Sequence, residues 1–417
     1  MIREESKILL VASRSFMAKQ PIFIGIDLGT SKVAAVVVTL DAQGLFHVIG
    51  GGMASSEGGI KQGYINDMDQ AVAALKSAKE EAMTQADVKK VEGVSVSVNS
   101  IHFKGENLRD SVTISSKDHI ITDEDIERVL DQAKNQCKMA KQESVLHQIP
   151  QIYHIQGQRE VRNPLNMVGE SLEAEVRLIL APSPVLNNIQ RVAHLAGFPK
   201  AELVYSPLAT AEAILPRQDK DNSAVVIDIG EDLTHVGIFH LGTLFHSAII
   251  PVGGRHFTRD LEITKHLGGM VAAERIKLRY GSVIPQQVTD EQIELEDEGR
   301  FISRSEVAEV LQARAVELFN FVQVEISRTG LTEFHGGIHL VGGGSILHHL
   351  PTLAQTIFGR PRVVISRPLD FSETLPAIVN NPHFVNALGA AKYMIRKRQE
   401  SGHGPSSFFG NLLEAFK

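Results

Sequence analysis

Two stretches of this 417-residue chain carry the same residue types in the same order. Asp27, Gly29, Thr30, Ser31 and Lys32 follow the apolar residues Ile24 and Ile26 and precede the run 33–38; Asp228 and Gly230 follow 225–227 and precede 236–239. Each copy is an apolar strand, an Asp-x-Gly turn and a second strand, and so predicts a glycine-bearing β-hairpin. Glycine allows a sharp turn and lets backbone N–H groups approach an anion without a Cβ in the way. An aspartate at the end of the first strand can hold a cation or its water shell. Two such hairpins facing each other would clamp the phosphates of one nucleotide, which predicts ATP with Mg2+ held through water by Asp27 and Asp228. A third cluster, Gly342, Gly343, Gly344 and Ser345, follows the strand 338–341 and would let a nucleoside pack against backbone. Glu274 and Lys277, three apart on one helical face, suit ribose hydroxyls and a purine. Gly253 and Gly254, at the start of a predicted helix, complete the nucleotide-binding set. Singly, Glu274 and Lys277 read as a surface ion pair and each glycine cluster as a turn. Their occurrence together, in this order, is the signal.

The elements that must position these residues also come in two sets. Residues 21–27, 32–39 and 45–51 read as successive antiparallel strands, followed by a helix over 67–86 with apolar Ala71, Leu75, Ala78 and Ala82. Strands 91–98 and 202–205 and a helix 208–215 complete the first set. The second has strands 224–229, 235–239 and 243–250, then helices 254–267 and 271–280. Such a unit present twice, with a cleft between, is an α/β architecture with its ligand between the halves.

Between the copies lies a stretch of different texture. A helix opened by Thr122 with Asp125 three residues on has a capping-box start, and its apolar face is Ile126, Val129, Leu130, Ala133, Cys137 and Ala140. Strands 112–115, 147–157 and 172–180 surround it, giving a small α+β module. Cys137 on that face reads as an inert core thiol. A further insertion begins with the acidic run 291–298, read as a solvated hairpin edge, and continues as a long helix capped by Ser303 and Glu306. The apolar face of that helix includes Val307, Val310, Leu311, Leu318, Phe319 and Val322.

Composition narrows the class. With 43% hydrophobic residues the chain can bury cores for two lobes or more. A net charge of −7 gives no reason to expect nucleic acid as partner. A single cysteine excludes an intramolecular disulfide and points to a reducing compartment. No run of about eighteen apolar residues occurs, and the seventeen histidines form no ligand set with Cys137. The N-terminus has acidic residues before its short apolar patch and no small-residue cleavage site, which makes it a poor signal peptide. Residues 1–18 read as a disordered extension, with Met17 an equally natural start.

At the other end, 399–405 has the composition of a flexible linker. Beyond it, Phe408, Phe409, Leu412, Leu413 and Phe416 fall within an arc of roughly 140° on a helical wheel. One reading is a helix docked on its own domain. The linker favours the other: an amphipathic helix induced at a membrane surface, weak alone and strong through avidity on a filament.

These hairpins, the insertion between them and the amphipathic end resemble the actin, sugar-kinase and heat-shock-chaperone superfamily over about residues 21–398, and within it the FtsA family. Residues 206–213 and 386–391 are similar to that family's two interdomain connectors. The resemblance implies an actin-like, ribonuclease-H-like duplicated fold with an inserted α+β subdomain. It implies a cell division adaptor that binds ATP, forms filaments with itself, and tethers FtsZ to the inner face of the cell membrane at the septum. In that family the subdomain matching 303–329 receives the FtsZ C-terminal peptide, and the inserted subdomain contacts other division proteins. The implied division of the chain is a first lobe core 19–103, an inserted subdomain 104–182 and a return to the first lobe 183–217. A second lobe core 218–282, its insertion 283–332 and a core returning to the first lobe 333–398 follow, then the linker 399–405 and the membrane-targeting helix 406–417.

One departure matters. Where the family carries glycines and a threonine in the second hairpin, this chain has Glu231, Asp232 and Leu233, and two carboxylates there would repel a γ-phosphate unless a cation intervenes. The connector also has Tyr205, Ser206 and Pro207 where hydrolysing relatives often carry an acidic residue. The expectation is a non-enzymatic scaffold with structural nucleotide and slow or absent turnover. Two other readings stay open: a small-molecule kinase of the same superfamily, and an FtsA-like pilus-assembly adaptor lacking the C-terminal helix.

Overall fold

The computed structural model describes residues 20–400, except 42, 157–159, 290, 296–298 and 373. The N-terminal extension and the expected membrane-binding residues 406–417 lie outside the described residues. The first lobe opens with β1 (Ile22–Leu28), β2 (Lys32–Leu40) and β3 (Phe46–Ser55), then α1 (Met68–Ala86) and β4 (Gly93–Val98). The inserted module is β5 (Lys104–Thr113), α2 (Asp123–Asn135), β6 (Glu143–Ile155) and β7 (Ser171–Pro182). The chain returns through α3 (Ser183–Leu195), β8 (Glu202–Tyr205) and α4 (Ser206–Ile214).

The second lobe repeats the plan with β9 (Ala224–Ile229), β10 (Thr234–His240), β11 (Thr243–Ile250), α5 (Gly254–Lys265) and α6 (Met270–Tyr280). The hairpin β12 (Gln292–Glu294) and β13 (Phe301–Ser303) leads into the long α7 (Arg304–Arg328). β14 (Gly337–Val341), α8 (Leu350–Phe358), β15 (Val363–Ile365) and α9 (Val385–Glu400) close the chain.

Both lobes contain a five-stranded sheet of one topology, ordered β8-β4-β1-β2-β3 and β11-β10-β9-β14-β15. In each, the first strand pairs antiparallel with the second and parallel with the strand on its other side. The central strands are apolar over most of their length because helices cover the sheet; among the exceptions, Asp27 and Asp228 lie near the carboxyl ends of β1 and β9. Val33 to Val38 are all fully buried, and burying each valine contributes roughly 1.5–3 kcal/mol. Helix α1 starts where the Asp67 side chain accepts from the Gln70 N–H, and α4 starts at Ser206 with Pro207 in its first turn.

The inserted module is a three-stranded antiparallel sheet, β5-β7-β6, backed by α2. Both capping boxes, Thr122 with Asp125 and Ser303 with Glu306, are formed. Helix α2 ends at Asn135, however, so Cys137 and Ala140 lie beyond it. Cys137 is still buried in the module's core, whereas Ala140 is exposed. The first strand of the module runs from Lys104 to Thr113, earlier and longer than the expected 112–115, because its mostly polar outer part, with little apolar pattern to mark it, is held by pairing with β7. Of the acidic run, residues 292–294 form β12, paired with β13, and Ile293 and Ile302 of this hairpin are buried. Helix α9 runs two residues into the expected linker.

Candidate functional site

The carboxyl ends of parallel strands from both sheets converge on one groove, the usual place for a ligand in such sheets. Asp27 stands near the end of β1, opposite Ala34 and beside Ser97, and Asp228 occupies the matching place on β9, opposite His235 and beside Val341. Both aspartates line the groove and both are buried. The cavity between them holds about 80 Å³, below the roughly 300–1,000 Å³ of small-molecule sites, so a nucleotide would have to part the two walls to enter.

The two hairpin turns are built alike. The Gly29 N–H donates to Lys32 O at 3.0 Å, and the Gly230 N–H to Leu233 O at 2.9 Å. In the first turn Ser56 takes up the Thr30 and Ser31 carbonyls through its hydroxyl and its N–H. In the second the same service comes from α5, whose Gly254 and Arg255 N–H groups bond Gly230 O and Glu231 O at 2.8 and 2.9 Å. Gly253 must be glycine for this, because a Cβ there would lie 2.6 Å from both carbonyls. Gly342 has φ +82°, and a Cβ on it would come within 2.3 Å of Asp228 Oδ1.

Electrostatics distinguish the two aspartates. Burial, reinforced by the Asp228 charge and opposed by Lys32, pushes the Asp27 carboxyl up to about 6. Burial acts on Asp228 as well, but the His235 ring, the Asn386 amide and Lys32 outweigh it and hold that carboxyl below its ordinary range. The Asn386 amide donates to Asp228 Oδ2 at 2.9 Å while its carbonyl accepts from the Thr210 hydroxyl at 2.6 Å. One side chain of α9 thus ties a second-lobe aspartate to α4.

Of the residues expected from the sequence, Asp27, Gly29, Thr30, Ser31, Lys32, Asp228, Gly230, Gly342 and Gly343 line this groove. Gly253, Gly254, Glu274, Lys277, Gly344 and Ser345 do not. Lys277 Nζ donates to Gly254 O at 3.1 Å and to the Thr258 hydroxyl at 2.8 Å, and pairs with Glu274 at 2.7 Å. The pair braces the first turn of α5, one layer behind the hairpin. Ser345 is fully buried and its hydroxyl donates to Gly342 O at 2.7 Å, within its own turn.

The groove also gathers Asn99, His235, His383 and Asn386, which the hairpin pattern did not single out. Alternation along β10 could have flagged His235 as the partner of Asp228. Asn386 opens the connector-like stretch 386–391, which did not mark its side chain for the groove, and nothing local to His383 flags it. Burial, with Lys32 nearby, pushes the His383 ring down to about 4, so it is neutral near pH 7.

Whether these residues fit a polar ligand can be judged from the buried atoms lacking a partner. Asp232 Oδ2, His235 Nε2 and His383 Nδ1 have none, His235 Nδ1 has only the Asp228 carboxylate at 3.6 Å, and all three residues line the groove. Unpartnered buried polar atoms are rare, and their concentration in one place marks it as built for polar company. Two carboxylates, the hydroxyls of Thr30 and Ser31, and Lys32 are the donor set that a phosphate chain with a hard divalent cation requires.

The family model described as cell division protein FtsA matches residues 225–389, and the model for the SHS2 domain inserted in FtsA matches residues 101–180. The cell division protein FtsA of Pseudomonas aeruginosa is 32% identical over 383 residues, covering 90% of each chain. That of Escherichia coli K12 is 30% identical over 384 residues, covering 89% of each. Among solved structures, the type IV pilus biogenesis complex PilM–PilN is similar with TM-score 0.64 at 18% identity, over 88% of this chain and 97% of that one. MreB5 of Spiroplasma citri bound to ADP is similar with TM-score 0.54 at 17% identity, over 92% and 99%. These two likenesses show the actin-like fold.

Proposed function

Because the chain belongs to the FtsA family of cell division proteins, we propose that it is a nucleotide-binding, filament-forming adaptor tethering FtsZ to the inner face of the cell membrane at the division site. The observation that carries the nucleotide part is the meeting of Asp27 and Asp228, 201 positions apart by their numbers, in one groove between duplicated hairpins. Mg2+ would be held there through water by the two aspartates, and would supply the charge that lets phosphates sit beside carboxylates. Thr30, Ser31 and Lys32 donate to the phosphate chain. A nucleotide held between the two hairpins would contact both lobes, so its binding free energy would add to the stability of the arrangement in which they meet. The role assigned to it is structural, and the protein is a scaffold.

The FtsZ C-terminal peptide is assigned to the subdomain containing α7. A groove there, with Leu267, Ile276 and Tyr280 in its lining, also carries Arg275, Arg279 and Arg300. Apolar pockets beside guanidinium groups suit an acidic peptide with apolar anchors. The inserted module is assigned to other division proteins. The membrane part rests on the amphipathic sequence 406–417. No helix among the described residues is long and apolar enough to cross a membrane, which agrees with attachment at the surface.

Electron microscopy on a lipid monolayer, with and without Mg-nucleotide, tests the proposal as a whole. Filaments on the monolayer that depend on nucleotide support it, and bare monolayers refute it. Liposome pelleting of the full chain against a version ending at Ser401 isolates the tether. Equal pelleting of the two removes the membrane assignment.

A further inference from the structure

The two hairpins share a shape but not a charge. The first turn presents Thr30, Ser31 and Lys32 to the groove, two hydroxyls and an ammonium, whereas the second presents Glu231, Asp232 and Leu233. The charged lining of the groove is therefore Asp27, Asp228, Glu231 and Asp232 against Lys32.

Asp232 is the fixed member of the second turn. Its side chain is 5% exposed, and Oδ1 lies 2.8 Å from Arg255 Nε. Oδ2 is buried without a partner. The same guanidinium nitrogen stands 3.4 Å from Glu231 Oε1, so one cation serves two carboxylates. Arg255 is half exposed and does not line the groove. The remaining charges near Glu231 are Lys277 and Glu274, which are paired with each other. The second turn thus keeps an excess of negative charge facing the ligand space.

A phosphate seated on the first turn meets donors. One that reaches the second turn meets a carboxylate held in place and poorly solvated, where like charges repel far more than in water. We infer that the groove takes a nucleoside diphosphate in preference to the triphosphate, with Asp232 standing where a terminal phosphate would reach the second hairpin. The inference rests on the clamp reading proposed above and concerns only which nucleotide the clamp accepts. Asp232 is the specificity-determining residue, and Arg255 moderates it by neutralising part of the acid pair.

Calorimetric titration of the full, nucleotide-free chain with ADP and with ATP, both in saturating Mg2+, tests this. ADP binds about tenfold or more tightly than ATP, a difference of about 1.4 kcal/mol or more. Asp232→Asn keeps the shape and removes the charge; it raises ATP affinity about tenfold, changes ADP affinity little, and closes the gap. Arg255→Ala widens the gap. ATP binding as tight as ADP binding in the unaltered protein overturns the inference and leaves the clamp standing. So does an Asp232→Asn effect that is equal for both nucleotides, or tight ATP binding that needs a second Mg2+ per chain. Binding of neither nucleotide removes the clamp and this inference together. If Asp232→Asn lowers the circular-dichroism melting point sharply, the ADP-to-ATP ratio of the unaltered chain decides the matter alone.

Discussion

Replacing Asp27 with Asn separates what the groove does for its ligand from what it costs the empty protein. In the fold the Asp27 carboxyl is pushed from 3.8 up to about 6, chiefly by burial and further by Asp228. The folded chain therefore binds this proton more tightly than the unfolded chain does. Stability from this residue is then greatest when the proton is on, declines as pH rises from about 4 to about 6, and stays low above that. A gap of about two units, at 1.36 kcal/mol each, makes the cost of the ionised, buried carboxylate roughly 3 kcal/mol at pH 7.5. Asparagine has the same shape and never ionises. The nucleotide-free Asp27→Asn protein, in EDTA, should be more stable than the parent by roughly 3 kcal/mol at pH 7.5 and by roughly half that at pH 5. The difference should vanish near pH 3.5. The same change removes one of two cation-holding carboxylates, so the thermal shift with Mg-nucleotide should shrink. At a hundred times Kd that shift corresponds to about 2.7 kcal/mol in the parent. Melting curves at a series of pH values, with EDTA and with Mg-nucleotide, supply every quantity. A variant less stable than the parent at pH 7.5 in EDTA, or a gap that does not change with pH, would refute the electrostatic account.

Other substitutions probe the connections around the groove. Asn386→Ala removes the bond to Asp228 and the one from Thr210; loss of about 1–3 kcal/mol in denaturant unfolding is expected, with weaker Mg-nucleotide binding by titration. Gly389→Ala would place a Cβ 1.8 Å from Ala209 O, forcing α4 and α9 apart; thermal unfolding should show a loss of about 1–3 kcal/mol or more. His147 accepts the Tyr205 N–H at 2.9 Å, and burial pushes its ring down to about 3. Its contribution is present above pH 6.5 and lost as pH falls towards 3, which amounts to roughly 2 kcal/mol at pH 5. His147→Gln should therefore unfold less steeply with acid over that range, and an NMR titration should find the His147 ring neutral at pH 5.

The groove and its surroundings show which kinds of information are local. Short-range rules wrote the hairpins, because an apolar strand, Asp-x-Gly and a second strand leave the backbone one compact turn. The same rules placed the helix starts at Asp67, Thr122 and Ser303, where a side chain accepts a first-turn N–H. The duplication and the inserted module were legible on the same grounds. Helix ends were less so: the apolar face of α2 reads on through Cys137 and Ala140, although the backbone turns away after Asn135.

Tertiary packing alone decided which of these residues meet. Glu274 and Lys277 have the right spacing for a ligand, but the close contact of α5 with α6 spends them on the Gly254 carbonyl and the Thr258 hydroxyl. Ser345 follows the right glycines, but its turn folds the hydroxyl back on Gly342. Asn386 and His383 reach the groove because α9 crosses α4 closely enough for Gly389 to face Ala209. Hydrogen bonding and sterics within a few residues select turns and caps. Contact between side chains 158 positions apart, as for Asn386 and Asp228, is set by how whole helices and sheets seat against one another.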